Sequence, residues 1–225
     1  MITLTRRTAL ATLGAAVAAP LQAHTVEELA EDFYAKEPYF EAFDRPTPDF
    51  GLSDAAGKRV SPADFSGKVV VLHFIYSSCT DVCPLHAEKL AEVQTMINQT
   101  PMRELVRFVS ITTDPVTDTT DVLRDYGPQH GFDPVNWQFL TIAPGQPEDA
   151  TRKLAQAFGH KFTVESDGTL THGVVTHVIG KFGRWQGNFH GLKFQPVNML
   201  MMVNALTNDH ESREPGFWDR VLAWF

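Results

Sequence analysis

The chain has 225 residues, with 19 Lys and Arg against 27 Asp and Glu for a formal charge of -8, and 43% of its residues are hydrophobic. That acidity argues against an electrostatic nucleic-acid binder, while the length and apolar share suit one domain with a sizeable core. No internal repeat or low-complexity segment is present.

The first 23 residues carry the three parts of an export signal: the pair Arg6-Arg7, a weakly apolar stretch rich in Ala and Gly, and the small-residue end Leu21-Gln22-Ala23, with no acidic residue before Glu27. The paired arginines favour a twin-arginine signal, from which a general secretory signal differs only in degree. Residues 8–21 fall short of the roughly 20 apolar residues a bilayer span needs. Cleavage after Ala23 is therefore expected, the alternative being an uncleaved anchor in the inner membrane. Losing Arg6 and Arg7 takes the charge from -8 to -10. No later segment is long and apolar enough to cross a membrane, so the mature protein is expected to be soluble in an exported compartment, which in bacteria is the periplasm. Disulfides persist there, and a cysteine pair left unbridged must be reduced by a partner or protected by a metal.

Residues 24–46 form an acidic extension. Glu27, Glu28, Glu31, Asp32, Glu37 and Glu41 alternate with Leu29, Phe33, Tyr34, Tyr39 and Phe40, a pattern that predicts an amphipathic helix over 24–44 ended by Pro46 and Pro48. The compact domain is expected over 47–209. It opens with a hairpin over 50–60, turning at 54–57. Strands at 68–76, 107–112 and 137–142 alternate with helices at 84–99, 119–126 and 147–158, which implies a sheet that is parallel at its centre. The rhythm then changes to antiparallel strands at 161–166 and 169–179 around an Asp167-Gly168 turn. A strand at 184–189 and a helix at 197–208 rich in Met and Leu complete the order, which is that of an elaborated thioredoxin-like fold: a central mixed β-sheet flanked by helices. The tail 210–225 ends with Phe217, Trp218, Trp224 and Phe225. It either packs on the domain or meets a membrane surface or a partner protein, since exposed aromatics would otherwise form an apolar patch.

The chemistry converges on Ser78-Cys79-Thr80-Asp81-Val82-Cys83-Pro84, which holds the only two cysteines and follows the apolar run 69–75. A thiol pair between a strand end and a helix start can form a reversible disulfide or bind a soft metal as thiolates, because a helix N-terminus stabilises negative sulfur. On the first helical turns, i and i+4 side chains lie about 5–6 Å apart on one face, which suits one shared metal ion or, after a modest backbone adjustment, a bridge. A merely stapling disulfide here closes so short a loop that it constrains little unfolded-chain entropy.

Two thiolates usually take a further ligand, most often imidazole in an exported protein. Among nine histidines, His24 can bind copper as a new N-terminus or simply sit on a flexible end. His73 reads as a hydrogen-bonded core residue, and His86, just past Cys83, is either solvent-exposed or near the metal. His130, His160, His190 and His210 fall in loops or element ends with no partner motif. His172, in Thr171-His172-Gly173, enters an apolar strand at a point from which it can face the cysteine turn; the alternative is a surface turn.

From about residue 50 to 208 the chain resembles the SCO/SenC proteins, copper-binding thioredoxin-like factors for cytochrome c oxidase assembly. Phe65-Ser66-Gly67-Lys68 with its following strand, and Cys79-Thr80-Asp81-Val82-Cys83-Pro84, look like the strand leading into that family's CPDVCP-type motif. Thr113-Asp114-Pro115-Val116-Thr117-Asp118-Thr119 is similar to its DPxRDT segment, and His172 stands where the family places a histidine. The resemblance implies copper ligation by Cys79, Cys83 and His172, with Asp114 and Asp118 shaping the site or meeting the partner; both can equally cap the helix after Pro115. Asp81 lies near the helix start, where a carboxylate suits the dipole. Two thiolates and an imidazole suit three-coordinate Cu(I), while Zn(II) generally takes four ligands. Departures are Thr80, Thr117 and Thr171 where the family often has Pro, Arg and an acidic residue.

The implied function is a periplasmic copper chaperone that delivers one ion, Cu(I) or Cu(II), to the dinuclear copper site of cytochrome c oxidase or a similar cuproprotein by ligand exchange, without covalent catalysis. The alternative is a thiol-disulfide oxidoreductase using Cys79 and Cys83 to reduce acceptor cysteines before metal loading, with a thioredoxin-like reductant as a further partner. CxxxC spacing in place of CxxC, and Val174 where thioredoxin oxidoreductases have Pro, speak against that as the main role.

Overall fold

The computed structural model describes residues 37–164 and 170–209. The expected export signal, most of the acidic extension, the expected Asp167-Gly168 turn and the tail 210–225 lie outside them.

Ten strands and four α-helices are present among the described residues. β4 (Val69–Ile75), with all seven residues buried, pairs in parallel with β5 (Val106–Thr112), which pairs in parallel with β6 (Trp137–Thr141). On the other side of β4, β9 (Val175–Ile179), β10 (Arg184–His190) and β1 (Phe40–Pro46) follow antiparallel, and the hairpin β2 (Leu52–Asp54) and β3 (Arg59–Val60) extends the β6 edge. β7 (Phe162–Val164) and β8 (Leu170–His172) form a separate two-stranded ribbon. The parallel centre and antiparallel margins match the order read from the alternation of elements.

Alternation along β4 builds the two faces, because successive side chains point to opposite sides. Val69, Val71 and Ile75 pack with helices α1 (Val82–Asn98), α2 (Thr120–Gln129) and α4 (Pro196–Asn208), while Val70, Leu72 and Phe74 pack with α3 (Ala150–Ala157) and Phe158. Gly159, at φ +86, ends α3 in the left-handed region that a residue lacking Cβ adopts without strain, and so turns the chain into His160.

Two expectations need correction. Residues 40–46 are strand, not helix, and the sheet starts before residue 47. Phe40 and Phe43 have the three-residue spacing of a helix face, but in a strand an odd separation sends side chains to opposite faces. Phe40 joins the core on the α1 face and Phe43 the core on the α3 face. The close fit of β1 on β10 requires Gly187, since a Cβ there would lie 2.5 Å from the Phe40 ring. Glu37 is 1% exposed, and its carboxylate accepts from the Gln195 N–H at 2.8 Å and the Asn198 amide at 3.0 Å, so one acidic residue of the extension serves the N-terminus of α4. The second correction is the stretch 169–179, which is two strands in two sheets, broken at Gly173-Val174.

Candidate functional site

Past Ile75 the chain leaves β4 and is tied down at once. The Thr113 N–H donates to the Ile75 carbonyl at 2.7 Å, and the Cys79 N–H donates to the Tyr76 carbonyl at 3.2 Å. Asp118, 1% exposed, accepts from the Ser77 N–H at 3.2 Å, from the Ser77 hydroxyl and from the Thr112 hydroxyl at 2.5 Å. One buried carboxylate thus joins the loop before Cys79 to the end of β5. It does not cap α2, which starts at Thr120 behind Thr119. Asp114 is not a cap either; its N–H donates to the Thr112 hydroxyl at 2.9 Å. Asp81 is exposed, occupies the N-cap position of α1, and makes no side-chain cap bond.

Cys79 and Cys83 are both buried and unbridged. Since α1 begins at Val82, only Cys83 is helical; Cys79 lies in the approach, with its sulfur over the helix end and accepting from the Cys83 N–H at 3.4 Å. This differs from the expected pair on one helical face, and it makes the two thiols unequal. Burial raises the Cys79 thiol, but the Cys83 side chain, the N–H groups of Asp81 and Cys83 and the Tyr76 hydroxyl all donate to its sulfur and bring it below the ordinary thiol range. Cys83 is pushed well above that range, first by burial, then by the bond it donates to Cys79 and by charge on Cys79. The pair is therefore unequal: the proton leaves Cys79 more readily than Cys83.

His172 closes β8. Its Nδ1 lies 3.0 Å from the Gly173 carbonyl, which can only accept, so Nδ1 carries the proton and Nε2 has a bare lone pair. That Nε2 is buried and has no hydrogen-bond partner. Burial lowers the imidazole's proton affinity, favouring the neutral, ligating form. The Tyr76 ring, whose hydroxyl reaches Cys79, has its centroid 6.1 Å from the His172 ring, so Tyr76 bridges the two halves of the candidate site. Among the described residues no three His, Cys, Asp or Glu side chains lie close enough together to hold a metal ion as they stand.

Behind His172 lies a layer of histidines that the sequence reading largely missed. His160 is 6% exposed, and its ring meets that of His172 at 5.0 Å. The Asn188 side-chain oxygen accepts from the Trp185 indole at 3.0 Å and lies 2.7 Å from His177 Nδ1, which fixes the proton on Nδ1. His177 Nε2, left bare, then accepts from His160 Nε2 at 2.9 Å. His86 is buried, not exposed, with Nε2 2.7 Å from the Thr176 hydroxyl, and His73 is the core residue expected, 2.5 Å from the Ser110 hydroxyl. Desolvation, then the neighbouring histidines, push His86 and His160 down to about 3. His177 falls in alternation with Thr176 and Val178 inside an apolar strand, the one sequence cue to its burial. His160 has none, because the rings of Phe74, His172 and His177, which pack on it, come from elsewhere in the chain. The His130 ring packs at a tilt against Tyr126, His190 pairs with Glu41 at 3.1 Å, and His24 and His210 lie outside the described residues.

The sequence pattern of the SCO1/SenC family matches residues 41–208, which spans both the cysteine turn and His172. The chain belongs to the SCO1/SenC family. A curated relative, the mouse mitochondrial SCO2 homolog, is 37% identical over 78 residues, covering 35% of this chain and 31% of that protein; the chain matches about a third of the length of such mammalian relatives. Copper-bound ScoI of Bradyrhizobium japonicum superposes with a TM-score of 0.58 at 25% identity over 72% of this chain and 99% of that one. BsSco, a member of the Sco family of cytochrome c oxidase assembly proteins in which a disulfide switch was identified, superposes with a TM-score of 0.64 at 19% identity over 74% and 96%. The thioredoxin-like fold of the family is therefore the fold of this chain.

Proposed function

We propose that this SCO1/SenC protein is an exported copper carrier in which Cys79, Cys83 and His172 bind one copper ion and pass it to the dinuclear copper site of cytochrome c oxidase or a similar cuproprotein, with the periplasm as its compartment. The observation that carries this reading is the bare, buried and unpartnered Nε2 of His172 on the far side of Tyr76 from Cys79, the more acidic of the two thiols. A buried imidazole nitrogen without a partner is costly unless something soft and electron-poor takes its lone pair. Loading draws His172 and the two sulfurs together, and exchange with an entering acceptor ligand releases the ion. Copper-bound structures of relatives and the oxidase-assembly role of the family support the reading. Anaerobic copper titration of the reduced protein and of His172→Ala tests it: a single ion bound, with affinity falling sharply in the variant, is expected, and equal affinities reject the site.

The unequal thiols favour a second reading, reduction of acceptor cysteines. The Cys79 thiolate attacks an acceptor disulfide and expels one acceptor thiolate; Cys83, after losing its proton, attacks Cys79 and frees the second. The acceptor leaves as a dithiol and this chain keeps the disulfide, so two electrons pass to the acceptor. Measurement of the reduction potential separates the readings, because a very stable Cys79–Cys83 bridge makes a reductant and a labile one does not.

A further inference from the structure

At the end of the sheet opposite the cysteine turn, a cavity of about 570 Å3 opens between the start of β4 and the β9–β10 turn. Its walls are apolar, with Phe65, Val70, Leu72 and Ile179, and Phe182 stands 45% exposed at its rim. This lies within the roughly 300–1,000 Å3 of sites that bury most of an apolar ligand. Thr47, also on the wall, has its hydroxyl oxygen buried without a partner. Two cations line the opening, and among the described residues their hydrogen bonds go to backbone carbonyls: Lys68 to Glu104 at 2.7 Å and Lys181 to Thr207 at 3.2 Å.

The bond from Lys181 to Thr207 places the last turn of α4 at the cavity rim, so the chain leaves that helix beside the opening. Residues 210–216 span at most about 25 Å when extended, enough to reach any wall of the cavity. Beyond them Phe217, Trp218, Val221, Leu222 and Phe225 recur at the spacing of a one-sided apolar helix face. The stretch 210–225 also holds three carboxylates, Glu211, Glu214 and Asp219, with two arginines, Arg213 and Arg220.

We propose that the stretch 210–225 docks intramolecularly in this cavity, with the aromatic side chains of 217–225 filling it and carboxylates among Glu211, Glu214 and Asp219 pairing with Lys68 and Lys181. Charge favours this occupant over a bilayer. A helix that lies on a membrane carries an excess of Lys and Arg on its polar face, whereas residues 210–225 set Glu211, Glu214 and Asp219 against Arg213 and Arg220 and so have no basic excess. Docking covers the end of the sheet remote from Cys79, and so leaves the candidate copper site open to a partner.

Hydrogen exchange of the full chain, read by mass spectrometry, tests the proposal against the double variant Trp218→Ala/Trp224→Ala and against Phe182→Glu. Amides of residues 217–225 and of the cavity wall at 65–68 and 179–183 are expected to be protected together in the unaltered protein and to exchange about tenfold faster or more in both variants. The double variant changes none of the described residues, so it carries the test even if Phe182→Glu fails to fold. Free exchange of residues 217–225 in the unaltered chain overturns the proposal. So does protection that rises with protein concentration, which marks a second copy as the occupant, or protection that arises only on phosphatidylcholine/phosphatidylglycerol vesicles.

Discussion

Cys79 and Cys83 stand on the seam between the most deeply buried strand of the main sheet and helix α1, whereas His172 ends a ribbon that shares no ladder with that sheet. The thiols inherit the rigidity of the core. Ser77 is held by Asp118, Ile75 by Thr113, and Cys79 by the amides at the start of α1. The imidazole is held by one backbone carbonyl and by ring contacts with Tyr76, His160 and Phe162. The proposed carrier would have to grip its cargo and release it. For it, two fixed sulfurs with one more loosely supported nitrogen would meet both needs better than three rigid ligands, because ligand exchange could start at the weakest support without disturbing the core.

Removing a proposed ligand on the rigid side should cost most. Cys83→Ala is expected to lower copper affinity by more than about 100-fold, the upper end for groups that merely orient a ligand, and competition with a chromogenic Cu(I) chelator measures it. His172→Ala should weaken binding through the other half of the site yet leave urea unfolding nearly unchanged, since its side chain makes few anchoring contacts. Unfolding at a much lower urea concentration would show that the ribbon is as integral to the core as the cysteine turn.

Asp118→Ala sharpens the contrast from the rigid side. It strands the Ser77 N–H and the Ser77 and Thr112 hydroxyls beside a cavity, and is expected to cost about 3 kcal/mol by urea denaturation. Acid should destabilise through the histidine layer. His86 and His160 resist protonation in the folded chain down to about pH 3, whereas unfolded histidine protonates near pH 6.5. The unfolded state therefore binds more protons between those values, and stability falls with decreasing pH by up to about 1.4 kcal/mol per pH unit for each histidine. His86→Gln should flatten that slope in unfolding curves collected from pH 7 to 4. The smallest effect is expected from Tyr76→Phe, which removes one donor to the Cys79 sulfur. The thiolate absorbance should then titrate higher by less than about one pH unit, in keeping with a single hydrogen bond. An unchanged titration would mean that the helix amides alone set Cys79.

The alternation of apolar strands and helices from residue 68 to 158 was legible because periodicity of 2 and 3.6 reports burial directly. The cysteine turn was legible because both thiols lie within five consecutive residues at an element boundary. The strand at Phe40–Pro46 was not, since an acidic segment with aromatics three apart satisfies a helical template, and only its pairing with β10 makes it extended and so sends Phe40 and Phe43 to opposite faces. The burial of His86 was equally hidden, because its partner Thr176 is remote in sequence.

The order of residues along this chain, by itself, determined the alternating architecture, the position of the thiol pair and the family to which it belongs. Tertiary structure alone decided which thiol is the more acidic, which nitrogen of His172 is bare, and that a layer of neutral histidines lies behind it. Those properties depend on donors, carbonyls and low-polarity surroundings brought from distant parts of the chain, and local sequence carries no record of what will be packed against it.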